Sequence, residues 1–231
     1  MTSQTTAPTL QVCRECGGGA PLDAHFCPQC TKILSLGRHG DYFAFLGLSR
    51  TLTVDAAKLE EQYRSLSRQF HPDYFYNASP AERRASLERS SYLNDAYRTV
   101  KNPVARLEYL LKIEGLAASG PQEASRQVPP ALLEEVFALN EELDEIREMR
   151  GGGGPEAEWK RRLENARKPV EVKRANHEAE LQKLLARWDA AVERGADESE
   201  RKSILQALRD TFLERNYINN LLAGIERELS S

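Results

Sequence analysis

Residues 41–115 run DYFAFLGLSRTLTVDAAKLEEQYRSLSRQFHPDYFYNASPAERRASLERSSYLNDAYRTVKNPVARLEYLLKIEG. Within Val54–Phe70 the apolar residues Leu59, Tyr63, Leu66 and Phe70 step by four, three and four, which makes one stripe of a helix. Asp55 is placed to cap its first turn, and Lys58, Arg64 and Arg68 lie off the stripe. Pro72 stops the helix, because the residue before a proline is pushed out of the α region. Ser79-Pro80 restarts one, with Ser as N-cap and Pro at the first helical position, and this second helix runs to about Lys101. Asp41–Leu46 forms a short helical turn ending at Gly47. Pro103 opens another helix, carrying Leu107, Leu110 and Leu111 and closed by Gly115. The pattern predicts two long antiparallel helices flanking an irregular loop, His71–Ala78.

On the C-terminal side, residues 116–130, with SGPQEASRQVPP at their core, read as a linker. Residues 131–231 read as a bundle of three helices. The first starts near Pro130, carries Leu133, Phe137, Leu139 and Leu143, and is cut off by Gly151–Pro155. The second runs from Glu156 to about Trp188, with a kink or interruption predicted at Pro169. The third spans Ser199–Leu229, with Leu205, Leu208, Phe212, Leu222, Ile225 and Leu229 on its apolar side. On the N-terminal side, residues 1–12 are polar and expected to be disordered, and residues 13–40 form a separate module holding all four cysteines.

Composition agrees with a helical protein. The chain has 231 residues, 40% hydrophobic and 29% charged, with only 7% aromatics. No run approaches the ~20 apolar residues of a membrane-spanning helix. Residues 1–12 lack a basic n-region and an apolar h-region, so no secretory signal is expected and the expected location is cytoplasmic. The net charge of −3 is uneven, since residues 116–231 alone carry −5. That acidity, with no basic–aromatic patch, weighs against a zinc-dependent nucleic-acid binder and suits a basic protein partner.

Cys13-Arg14-Glu15-Cys16 and Cys27-Pro28-Gln29-Cys30 are two C-x-x-C pairs ten residues apart. Each pair can make a tight turn with both sulfurs on one side, helped at the first by Gly17. Four such sulfurs suit a structural zinc ion, Zn2+, which would fold a segment too short to bury a core. Two disulfides, redox thiols and an iron site are the alternatives. His25 lies between the pairs and reads as a loop histidine. No catalytic residue emerges, because no nucleophile–base pair, phosphate loop or dinucleotide fingerprint occurs. The chain is therefore expected not to be an enzyme.

His71-Pro72-Asp73 alone is a weak signal, since the tripeptide suits an ordinary loop. Its surroundings are more specific. A basic helix, His-Pro-Asp and a counter-helix resemble the J-domain of DnaJ-type co-chaperones. The set DYFAFLGL (41–48), His71-Pro72-Asp73, SYLNDAY (91–97), Asn102-Pro103, RLEYLL (106–111) and Gly115 is similar, more narrowly, to HscB (Jac in yeast), the J-protein of iron–sulfur cluster assembly. LLEEVF (132–137) and EELDEI (141–146) continue the likeness more loosely, and animal members of that family carry a C-x-x-C…C-x-x-C segment before the J-domain.

The resemblance implies an all-α fold in an L-shape: a J-domain helical hairpin (41–115), a C-terminal three-helix bundle (131–231) and a small N-terminal zinc-knuckle module. It implies a co-chaperone that stimulates the ATPase of a DnaK/HscA-type chaperone and delivers an IscU-type iron–sulfur scaffold to it. No nucleic acid and no membrane would be partners. His71, Pro72, Asp73, Lys58, Arg64 and Arg68 would meet the chaperone. Leu133, Phe137, Glu141 and Glu145, completed by Phe212 on the last helix, would meet the scaffold. Cys13, Cys16, Cys27 and Cys30 would hold the metal. Periodicity alone leaves open whether Leu133 and Phe137 are surface or core. The alternative function is a general DnaJ-like co-chaperone for unfolded clients. Against it stands the absence of a Gly/Phe-rich linker and of a long zinc domain with repeated C-x-x-C-x-G-x-G.

Overall fold

The computed structural model describes residues 10–36, 41–117 and 130–230. The chain divides into two compact units, Met1–Leu110 and Leu111–Ser231. The first opens with an antiparallel pair of short strands, β1 (Leu10–Val12) and β2 (Gly19–Pro21), in which Gln11 stands opposite Ala20. Residues 10–12, expected to be disordered, are thus a paired strand, and the rest of that predicted segment lies outside the described residues. Helices α1 (Tyr42–Phe45), α2 (Ala56–Phe70), α3 (Pro80–Lys101) and α4 (Pro103–Ile113) follow.

Local signals set these helices. The Asp41 carboxylate accepts from the Ala44 N–H at 3.0 Å and meets Arg50 Nε at 2.6 Å, which caps α1. At the end of α1, Gly47 adopts φ +65°, so the Leu48 N–H can turn back to the Phe43 carbonyl at 2.8 Å. Asp55 caps α2 through the Ala57 and Lys58 N–H groups. Ser79 and Glu82 cap α3 reciprocally, with Pro80 next to the cap as read from the sequence. Helices α2 and α3 form the antiparallel hairpin. The Tyr63 hydroxyl donates to Asn94 Oδ1 at 2.9 Å, and the Ser86 and Ser90 hydroxyls donate to the Phe70 carbonyl at 2.6 and 3.0 Å. Phe43, Phe45, Leu46, Leu59, Leu66, Phe70, Leu93, Ala96 and Val100 are buried. Each large side chain among them contributes about 1.5–3 kcal/mol by leaving water.

In the second unit a 3₁₀ turn, Pro130–Leu132, leads into α5 (Leu133–Gly151), followed by α6 (Glu156–Glu193) and α7 (Glu198–Ser230). Helices α6 and α7 run antiparallel, since Leu163 clusters with Ile225, Val170 with Ile218, and His177 meets Glu214 at 2.8 Å; Arg215 and Glu178 add a contact at 2.6 Å. Leu139, Leu143 and Ile146 of α5 pack on Trp159, Leu163 and Ile225, while Leu132 and Val136 pack on Ile218 and Leu222. Pro169 does not interrupt α6, which also extends past Trp188 to Glu193. Pro169 lines an apolar cleft of about 440 Å³ with Leu132, Val136, Leu139, Val170 and Ile218, so the turn that lacks an N–H faces other side chains. Of the predicted linker, residues 118–129 lie outside the described residues. No helix among the described residues is long and apolar enough to cross a membrane.

Candidate functional site

Three groups of residues carry chemistry. The first is the loop between α2 and α3. His71 ends α2, and Pro72–Phe75, predicted to be irregular, make a 3₁₀ turn. The Asp73 N–H donates to His71 Nδ1 at 3.3 Å, and the Asp73 carboxylate stands 3.5 Å from the same nitrogen. Both side chains are exposed. The tripeptide is held in shape by its own backbone while its polar atoms face solvent. Tyr74 and Tyr76 beside it are also strongly exposed, and sequence periodicity gave no hint of that. Arg83 of α3 closes the far side of the loop by donating to the Ala78 carbonyl at 3.0 Å. Lys58, Arg64 and Arg68 are all exposed on α2, away from Leu59, Leu66 and Phe70. Arg64 is paired with Glu60 at 3.0 Å, so Lys58 and Arg68 are the stronger sources of positive potential on this face.

The second group is the cysteine module. Two turns of like construction carry the sulfurs. In one, the Gly17 N–H donates to the Cys13 carbonyl and the Cys13 N–H to the Gly18 carbonyl. In the other, Thr31 donates to Cys27 and Cys27 to Lys32 in the same pattern. Gly17 sits at φ +72° and Thr31 at φ +60°. A β-branched residue in that region is strained by about 1–3 kcal/mol, so the surrounding turn must over-determine it. The four Sγ atoms lie within 4.8 Å of one another, with Cys13–Cys30 and Cys16–Cys27 both at 3.7 Å. A tetrahedral ion with Zn–S bonds of about 2.3 Å requires sulfur–sulfur edges of about 3.8 Å. A disulfide would need about 2.05 Å. Backbone N–H groups of Cys30 and Gln29 pull the Cys27 thiol down to about 7. At Cys30 the Lys32 N–H also lowers the value, but burial and the three neighbouring sulfurs win and push it up to about 12. The four sulfurs are close enough to hold one metal ion, and a donor set of four thiolates fits zinc.

His25 is not part of that shell. Its Nδ1 lies 2.8 Å from the Arg89 guanidinium, which can only donate, so Nδ1 is the acceptor. The ring packs edge-on against Phe45 and Phe70, with centroids 4.9 and 5.0 Å away. Arg89 is fully buried in α3 and also donates to the Leu34 and Ser35 carbonyls at 2.7 and 3.2 Å. Lys32 meets Glu82 at 3.1 Å. Burial works against the Glu82 carboxylate, but the Ser79 backbone N–H, the Lys32 ammonium and the Ser79 hydroxyl hold it below the usual carboxylate range. The module is therefore docked on the hairpin. Sequence reasoning treated it as separate and did not single out Arg89, although Ala85, Ser86 and Leu93, one helical turn away, are buried with it.

Replacing Cys13 and Cys16 together with Ser is expected to remove about one zinc per chain, read by metal analysis of protein purified under reducing conditions. A module standing alone would then disorder by itself, but the docking contacts extend the expected effect into the hairpin. Wild-type protein free of any metal would contradict the site.

The third group lies on α5. Leu133 is 40% exposed and Phe137 is 71% exposed, while Val136, Leu139, Leu143 and Ile146 are buried. Glu141 and Glu145 continue the exposed side, and Glu145 is tied to Arg162 at 2.6 Å. Phe212 differs. It is 4% exposed, inside the α7 packing with Leu208 and Leu205, so it does not join Leu133 and Phe137 on a common surface.

Comparison with known proteins places these features. Residues 41–109 match the DnaJ domain. Over 136 residues the chain is 36% identical to the iron-sulfur cluster co-chaperone protein HscB of Homo sapiens, a match covering 58% of this chain and 57% of that relative's length. The crystal structure of human co-chaperone protein HscB aligns with a TM-score of 0.59 at 26% identity, covering 94% of this chain and 98% of that one. Chaperone HscB from Vibrio cholerae aligns at 26% identity with a TM-score of 0.47, covering 82% of this chain and 97% of that one.

Proposed function

From a chain that carries a DnaJ domain and is homologous to the HscB co-chaperones, we propose a co-chaperone that stimulates the ATPase of a DnaK-type chaperone and brings an IscU-type iron–sulfur scaffold to it. The observation that carries this reading is the exposed His71-Pro72-Asp73 turn at the end of a packed helical hairpin, beside the exposed cations Lys58 and Arg68. The J-domain is proposed to span 41–115 and the scaffold-binding bundle 131–231. The basic face steers an acidic chaperone surface into place, and the tripeptide is the group that triggers hydrolysis in the partner. The chain itself performs no bond-breaking step. Cys13, Cys16, Cys27 and Cys30 would hold zinc, which when bound supplies folding free energy to the module. The named relative's role in iron–sulfur assembly favours this reading over a general co-chaperone for unfolded clients.

The scaffold face is proposed to be Leu133 and Phe137 as apolar anchors, with Glu141 and Glu145 as a polar rim. Phe212 supports the bundle from inside. Replacing Leu133 and Phe137 with Ala is expected to weaken scaffold binding by about 1–3 kcal/mol each, or about 5- to 150-fold per residue. Because both are exposed, the melting temperature should stay within the range of an ordinary surface change. Calorimetric titration with the scaffold, beside circular dichroism melting, checks this. Unchanged affinity would refute the face.

A further inference from the structure

The cysteine module touches the hairpin at both ends of the His-Pro-Asp loop. At the α2 end the contact is Phe70, the residue immediately before His71. Phe70 is fully buried, with the His25 ring edge-on at 5.0 Å, the Phe26 ring at 6.0 Å and the Arg89 guanidinium over its face at 5.7 Å. At the α3 end the contacts are Ser79 and Glu82, the two members of the capping box. The Ser79 hydroxyl lies 3.3 Å from Glu15, and Glu82 pairs with Lys32. Glu15 sits between Cys13 and Cys16, and Lys32 follows Cys30 by two residues. Each sulfur turn thus sends one charged side chain to the cap that closes the loop. Arg89 joins the two sides from within α3, reaching Leu34, Ser35 and His25 in the module and Phe70 in the hairpin.

Resting on the J-domain reading, we propose that the cysteine module sets the position of the His-Pro-Asp loop, and that Arg89 is the positioning residue through which it does so. The physical reason is the small number of anchors. The loop runs from His71 to Ala78, and His71 and Asp73 bond to each other within it. Arg83 ties the Ala78 end of the loop to α3, and the rest of its placement depends on where Phe70 and Ser79 are held. On the hairpin side those residues are held by Ser86, Ser90 and the α3 cap. On the other side they are held by His25, Arg89, Glu15 and Lys32. Loss of the metal releases the module and removes the second set while leaving the first in place. The chaperone-facing turn would then sample more positions, and the co-chaperone would engage its partner less tightly without losing the triggering group. Metal occupancy of four cysteines would in this way tune co-chaperone strength.

The test uses the full chain, loaded with zinc as wild type, Arg89→Met, Arg89→Lys and Lys32→Ala, beside the zinc-free Cys13→Ser/Cys16→Ser variant. Amide hydrogen exchange is followed in peptides covering residues 24–36, 71–79 and 93–100. Arg89→Met and the double cysteine variant should exchange at least ~10-fold faster in 24–36 and 71–79, with 93–100 unchanged, because opening there is local rather than global. Arg89→Lys, which keeps a donor, should fall between Arg89→Met and wild type. Lys32→Ala removes a half-exposed side chain, leaves the Ser79–Glu82 capping box in place, and should show the same pattern at smaller amplitude, so it carries the test if Arg89→Met does not fold. In a steady-state assay with a DnaK-type chaperone, the concentration of Arg89→Met giving half-maximal stimulation should rise ~10-fold with the maximum rate retained. Faster exchange in 24–36 with 71–79 unchanged would overturn the proposal, as would equal acceleration in all three regions or a lost maximum at unchanged half-saturation. Wild-type protein that stimulates no chaperone would refute the J-domain function instead, and the exchange comparison would still decide the positioning role.

Discussion

Replacing His71 with Gln is expected to return the ATPase of a DnaK-type chaperone to its unstimulated rate while leaving the fold and scaffold affinity as in the wild type. The imidazole is half exposed, and it meets Asp73 and the Tyr74 ring, both in the same turn. Nothing in the hairpin core rests on it, because Phe70 is held by Ser86, Ser90 and Arg89 rather than by His71. A surface change of this kind alters stability by no more than about 0.5 kcal/mol. Glutamine keeps a polar group of similar reach but not the ring, so the variant isolates the chemistry of the tripeptide from its backbone. Steady-state ATPase measurements, paired with thermal melts and a scaffold titration, separate the three quantities. Stimulation equal to wild type would remove the J-domain reading of the loop.

Phe212→Ala should have the opposite signature. Its ring is 4% exposed, and truncating a core phenylalanine costs about 3–5 kcal/mol through lost transfer energy and the cavity left behind. The C-terminal unit should melt at least ~10 °C lower, because a domain of this size loses roughly 4 °C per kcal/mol. Scaffold binding at a temperature where the bundle remains folded should change little. The contrast with Phe137 is the point. Two phenylalanines on helices of one bundle have opposite expected effects, one on affinity and one on stability. A Phe212→Ala variant that melts normally yet loses scaffold binding would show that the side chain reaches the surface after all.

The hairpin was legible because its signals are local. Asp55, Pro72, Ser79-Pro80 and Gly47 each act within a few residues of themselves, and all behave as their chemistry requires. The glycine run at 151–154 and Gly195 mark the breaks between bundle helices for the same reason. The cysteine spacing announced its tetrahedral cluster, since two C-x-x-C turns bring four sulfurs together with little choice. What escaped depends on distant partners. Strands of three residues, such as Leu10–Val12, have no pattern to read, and their pairing with Gly19–Pro21 follows from the turn between them. Arg89 reads as one more solvated charge until the carbonyls of Leu34 and Ser35 are placed beside it. Leu133 and Phe137 differ from Val136, Leu139, Leu143 and Ile146 only in which side of α5 they share. Spacings of three, four and three mark the buried set, whereas steps of four drift onto the surface. Pro169 promised a kink or an interruption, yet α6 continues through it, with Pro169 lining the same apolar cleft as Val136 and Ile218.

One chain is proposed to couple a chaperone to a scaffold. The direct measurement is the steady-state ATPase rate of a DnaK-type chaperone, with an IscU-type scaffold titrated in at a fixed, subsaturating concentration of this protein. The scaffold is expected to raise the rate strongly only when the protein is present, and either His71→Gln or the Leu133→Ala/Phe137→Ala pair is expected to abolish the synergy. A rate that responds to the scaffold identically with and without this protein would contradict it.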